Sequence, residues 1–164
     1  MLIRANFPPD IRDIIMSCVS MVSTSILFNG GTLDPIFPSR GIRQGDPLSS
    51  YLFSLYMDFL GQLIEEKCNA KLWHSVKASQ SGLTFSHLMF ADDIMLFAKA
   101  NVVNCSVIRD VLDYFCDLSR QTVRESESRV YVSPNVDKDT KESFCDIFGF
   151  ASTPTLGKYL GFPL

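Results

Sequence analysis

The chain has 164 residues, of which 46% are hydrophobic and 20% charged, with 13 phenylalanines and a formal net charge of −3 at pH 7. This length fits a single domain with a real hydrophobic core, and the balance excludes a disordered chain. The acidity speaks against the chain gripping nucleic acid alone, because affinity for a phosphate backbone comes mostly from Lys and Arg.

In chain order, Pro8-Pro9-Asp10 followed by Ile11, Ile14, Ile15, Cys18 and Val19 reads as a capped amphipathic helix. Asn29-Gly30 between the apolar run Ser25–Phe28 and a second run toward Phe37 signals a β-hairpin. Asp46-Pro47 is a good helix start, and the apolar spacing from Leu48 through Leu52, Leu55, Phe59 and Ile64 predicts one helix to Lys67, packed on a sheet. Two short apolar runs, near 85–90 and 94–98, flank Ala91-Asp92-Asp93 and predict a second hairpin. A further amphipathic helix runs through Val107, Ile108, Val111, Leu112, Phe115 and Leu118. Arg129–Val132 then reads as a strand, 141–148 as a short helix and Lys158–Gly161 as a terminal extended piece. The class is α+β.

Five scattered cysteines, with no CxxC pair and no Cys/His cluster, speak against zinc and for reduced thiols packed as small hydrophobes. The N-terminus has no apolar run suited to a signal peptide, and no stretch approaches the roughly 20 apolar residues of a membrane span. A soluble, intracellular protein is expected.

Two segments carry chemistry. Adjacent aspartates in a regular strand point to opposite faces, so Asp92 and Asp93 serve one site only if the pleat breaks at a turn. Paired carboxylates there suit a hard divalent cation, although a solvated polar turn explains the same residues. Arg40-Gly41-Ile42-Arg43-Gln44-Gly45 brings forked donors and close backbone approach to a helix N-terminus, which suits an anionic or nucleotide partner. A plain capping turn accounts for Asp46 and Pro47 and leaves Arg43-Gln44-Gly45 over.

Taken together, GIRQGDPLSS (41–50), YLFSLYMDFL (51–60) and HLMFADDIMLF (87–97) resemble the reverse transcriptases of LINE-type non-LTR retrotransposons, in particular the plant variety. SRVYVSPNV (128–136) and KYLGFPL (158–164) extend that resemblance over essentially the whole chain. It implies an incomplete polymerase palm, an antiparallel sheet with packed helices spanning residues 1–164 as a partial domain. By resemblance Asp92 and Asp93 are the catalytic, metal-holding pair for Mg²⁺ or Mn²⁺. Arg43, Gln44, Gly45, Phe90 and Ala91 line the nucleotide and template site, and Lys158, Tyr159, Leu160 and Gly161 form the primer grip. The implied partners are an RNA template, a DNA primer and deoxynucleoside triphosphates, with no membrane and no small-molecule cofactor beyond the metal.

Departures from the family pattern set a second expectation. No D-x-x-K-A-Y-D-like motif is present for the other catalytic aspartate, and neither fingers nor thumb is recognisable. Ser50 stands where the family has Pro, Arg120 where it has Gly, and Glu127 where it has the Lys thought to assist the triphosphate. A two-metal site needs carboxylates from more than one strand, so the site is expected to be incomplete and the chain inactive alone. The competing reading is a non-catalytic module, co-opted from a retroelement to bind nucleic acid or protein.

Overall fold

The computed structural model describes residues 2–39, 41–77, 79, 82–159, 162 and 163, with 158, 159, 162 and 163 described by backbone alone. Two compact units divide it, Met1–Phe59 and Leu60–Leu164. Helices and short strands mix throughout, so the α+β class holds.

In the first unit, helix α1 (Pro9–Ser20) starts on proline rather than on a capping side chain, since Pro8 and Pro9 fix the entering backbone. Its apolar residues Ile11, Ile14 and Met16 stay exposed, so its amphipathic pattern finds no buried seat. Strands β1 (Leu27–Phe28) and β2 (Gly31–Thr32) form the expected hairpin, with Phe28 opposite Gly31. Asn29 and Gly30 both take positive φ, +47° and +81°, the twist that favours Asn-Gly in two-residue turns.

Helix α2 (Pro47–Asn69) runs from the first unit into the second. The Asp46 carboxylate accepts the Leu48 amide at 2.9 Å, so the Asp-Pro start caps it as the residues require. Leu52, Met57 and Phe59 are buried in the first unit, where the Arg4 guanidinium also lies 4.8 Å over the Phe59 ring. Leu55 is half-buried. In the second unit Leu60 and Ile64 are fully buried and Leu63 nearly so.

The second unit continues with β3 (Val76–Lys77) paired to β4 (Thr84–Phe85), then the hairpin β5 (His87–Phe90) and β6 (Asp93–Leu96). Helix α3 (Val102–Ser119) is capped by the Asn101 side chain and buries Ile108, Val111, Leu112 and Phe115. It packs on α4 (Lys138–Phe148), whose Phe144 and Phe148 are buried, and Arg109 pins the pair by donating to the Phe148 carbonyl at 2.9 Å. The Asp137 cap starts α4 three residues earlier than the apolar pattern suggests.

Among the described residues the strands form five two-stranded pairings rather than one continuous sheet. Four are antiparallel, but β7 (Arg129–Tyr131) and β8 (Ala151–Thr153) are parallel. The α4 crossover between them returns the chain in the same direction, which a tight turn cannot do. Strands β9 (Lys158–Tyr159) and β10 (Phe162–Pro163) close the chain as an antiparallel pair.

Candidate active site

The aspartate hairpin sits where the sequence places it, two residues shorter than expected at each outer end and with its second strand starting one residue earlier, at Asp93. Its register runs from His87↔Leu96 to Phe90↔Asp93, leaving Ala91 and Asp92 as the turn. Ala91 takes φ +51°, a left-handed conformation that costs a non-glycine residue roughly 1–2 kcal/mol. The pleat therefore breaks between the two carboxylates. Asp92 lies in the turn, Asp93 opens β6, and both are exposed, as are Phe90 and Ala91.

The base of this hairpin is held firmly. The Phe97 amide donates to the Ser86 carbonyl at 2.8 Å, and the buried Trp73 indole donates to the Phe97 carbonyl at 2.9 Å. The fully buried Asn104 then ties three segments together. Its carbonyl oxygen accepts the His74 amide at 3.0 Å, its amide nitrogen donates to the Lys99 carbonyl at 2.8 Å, and its own backbone N–H donates to Asn101. On the other strand His87 packs against α2 at Gly61, where an added Cβ would meet His87 Nε2 at 3.7 Å. Burial lowers the His87 pKa from 6.5, with Glu65 opposing the shift. Neither Trp73 nor Asn104 stands out in the sequence, because their partners lie about 24 and 30 residues away.

Arg43, Gln44 and Gly45 lie in the first unit, in the loop that leads into α2. All three are exposed, and Gly45 takes φ +85°, which favours glycine. Arg43 and Gln44 line a cavity of about 220 Å³ with an apolar floor that includes Val19, Val22, Leu48 and Leu52. Arg40, Leu160 and Gly161 lie outside the described residues, and Lys158 and Tyr159 are placed by backbone alone, on β9.

A family model for reverse transcriptase (RNA-dependent DNA polymerase) matches residues 3–164. The chain belongs to this family. A retrovirus-related Pol polyprotein from the type-2 retrotransposable element R2DM of Drosophila melanogaster is 29% identical over 107 residues, covering 65% of this chain and 9% of that protein. One from the type-1 retrotransposable element R2 of Popillia japonica is 33% identical over 92 residues, or 56% of this chain and 14% of that protein. An uncharacterized mitochondrial protein of Arabidopsis thaliana is 39% identical over 67 residues, or 41% of this chain and 55% of that protein. The reverse transcriptase domain thus matches non-LTR retrotransposon polyproteins, and the chain spans between about a tenth and about half of these relatives.

Reverse transcriptases generally use a divalent metal ion. Exposed carboxylate oxygens at a held turn fit a hard cation in kind. In number they are few, since among the described residues no group of three or more His, Cys, Asp or Glu side chains is gathered. No helix among the described residues is long and apolar enough to cross a membrane.

Proposed function

We propose that this chain is a palm segment of an RNA-directed DNA polymerase, with Asp92 and Asp93 as its metal-holding carboxylates, and that it is catalytically incomplete alone. The presentation of both aspartates at a strained, firmly anchored hairpin tip carries this reading. A two-residue hairpin turn takes positive φ at its first residue in any case. The support comes from the adjacent carboxylates being held on a base fixed by Trp73 and Asn104, which a solvated turn does not need.

In the proposed reaction a primer 3′-hydroxyl attacks the α-phosphorus of a deoxynucleoside triphosphate on an RNA template, and pyrophosphate leaves. Magnesium or manganese, when bound, activates the hydroxyl and neutralises charge on the leaving oxygens. Phe90 and Ala91 border the carboxylates, and Arg43, Gln44 and Gly45 supply the forked donors and open backbone that nucleotide and template would meet. The β9–β10 hairpin, carrying Lys158 and Tyr159, with Leu160 and Gly161, would hold the primer. Two adjacent carboxylates do not span a pair of ions about 3.5–4 Å apart, and among the described residues no third His, Cys, Asp or Glu gathers with them, so a further carboxylate would have to join the pair.

The test is paramagnetic broadening by Mn²⁺, read on backbone amides, together with primer extension on RNA. Weak broadening centred on residues 91–93, lost in the double variant Asp92→Asn, Asp93→Asn, is expected, with no extension by the chain alone. Broadening centred elsewhere would overturn the metal assignment. Metal-dependent extension by the 164 residues would overturn the incompleteness.

A further inference from the structure

The formal charge of −3 conceals an uneven distribution. Between Glu66 and Asp110 the only acidic residues are Asp92 and Asp93, against five basic ones, Lys67, Lys71, Lys77, Lys99 and Arg109. The rest of the chain carries ten Lys and Arg against sixteen Asp and Glu. The positive charge is therefore concentrated around the segments that lead into and out of the aspartate hairpin.

Lys71, Lys77 and Lys99 share one place in the fold. The Lys99 amide donates to the His74 carbonyl at 2.8 Å, and Asn104 bridges the same two residues. Lys71 and Lys77 each lie three residues from His74, and three residues of chain span at most about 11 Å. Their backbone is fixed, because the Leu72 and Trp73 amides both donate to the Lys67 carbonyl, at 3.0 and 3.1 Å, and Lys77 pairs with Thr84. All three lysine side chains are exposed, and among the described residues none of them is in an ion pair.

Exposed, unpaired lysines are a poor seat for a polypeptide segment, since Lys is depleted at protein interfaces and almost never buried without a partner. Interfaces with nucleic acid are instead strongly positive and wet. The dimensions agree as well. Charges along one strand of a duplex follow every 3.4 Å or so, so a patch up to about 20 Å across meets several phosphates. Lys99 is six residues from Asp93, which places the patch within about 20 Å of the hairpin tip.

We infer that Lys71, Lys77 and Lys99 form a phosphate-binding surface that holds the backbone of a nucleic acid alongside the aspartate hairpin. The choice of nucleic acid among polyanions rests on the polymerase reading of that hairpin. Contacts of this kind read no base sequence, and each phosphate neutralised makes the affinity more dependent on salt.

The test is fluorescence anisotropy of a labelled RNA–DNA hybrid with the full chain, between about 50 and 200 mM salt. EDTA is present throughout, so the result is independent of the Mn²⁺ broadening that tests Asp92 and Asp93. The patch variant is Lys71→Gln, Lys77→Gln, Lys99→Gln, and the charge-matched control is Arg120→Gln, Arg124→Gln, Lys138→Gln, all exposed in the same unit. The patch variant is expected to bind at least about tenfold more weakly at the lowest salt, with the slope of log affinity against log salt reduced by about 2–3. The control is expected to lose less than about one unit of slope. Lys71→Arg, Lys77→Arg, Lys99→Arg keeps the charge and is expected to bind as the wild type does. A wild type that leaves the hybrid unbound at the lowest salt overturns the inference, as does an equal loss in the patch variant and the control. Polyglutamate binding the wild type as tightly as the hybrid does would assign the surface to an acidic polypeptide and overturn it too.

Discussion

Phe90 and Asp93 stand opposite each other across the last rung of the β5–β6 ladder, so the whole reversal falls on Ala91 and Asp92. With Ala91 at φ +51°, this position tests whether the tip is strained. Replacement by glycine is expected to be neutral or to stabilise by up to about 1 kcal/mol, and replacement by β-branched valine to cost more than about 1 kcal/mol. Urea denaturation of both variants checks this. A valine variant as stable as wild type would mean that the turn carries no strain.

Because the carboxylates at that tip are exposed, Asp92→Asn and Asp93→Asn should each change stability by less than about 0.5 kcal/mol. Mn²⁺ affinity should nevertheless fall at least several-fold in each. Parallel denaturation and metal titrations separate the two effects, and a loss of stability without a loss of affinity would make the aspartates structural.

In the second unit the fully buried Leu60 and Ile64 of α2 should each cost about 2–5 kcal/mol on truncation to alanine. Tyr51, exposed on the same helix, should cost under about 0.5 kcal/mol. Equal effects at Tyr51 and Leu60 in a denaturation series would overturn the burial assignment.

Much of this was legible in the sequence because the signals are local. Asn29-Gly30, Asp46-Pro47 and Ala91-Asp92-Asp93 each set a turn or cap through their own backbone or a neighbour two residues away. Asn104 was not legible. An asparagine in the first turn of an apolar helix looks like a surface residue until the His74 loop and Lys99 fold onto it. The parallel β7–β8 pair was hidden likewise, since Ala151-Ser152-Thr153 has no apolar alternation and is fixed by its partner across α4. Among the described residues there are five separate pairings where one antiparallel sheet was expected; the hairpins are local, but whether they join into one sheet is set by contacts that no short window contains.

That hidden asparagine gives a further prediction. Asn104→Ala leaves the His74 amide without its partner, at about 1–3 kcal/mol for a group left unsatisfied, while the Lys99 carbonyl loses one bond and keeps the Asn101 amide at 2.9 Å. A loss of at least about 1 kcal/mol is expected in urea denaturation. A change below about 0.5 kcal/mol would show that water replaces the side chain.

His87 gives the last prediction, a dependence of stability on pH. Its ring is half-buried, packs where Gly61 leaves room on α2, and has Nδ1 3.0 Å from the Ser86 hydroxyl. Burial lowers its pKa below 6.5, and Glu65, the acidic group that faces it from α2, opposes the shift without cancelling it. In the unfolded chain the imidazole keeps its ordinary value. Between the folded pKa and 6.5 the unfolded state therefore binds more protons, so the His87 contribution to stability rises with pH through that window, is lost as pH falls through it, and is level on either side. Carboxylates also titrate on the acid side, and a variant separates their effect. The difference in urea midpoint between pH 7.5 and pH 5.5 should be smaller in His87→Gln than in wild type. An equal difference in the two proteins would mean that the folded state takes up the His87 proton as readily as the unfolded chain does.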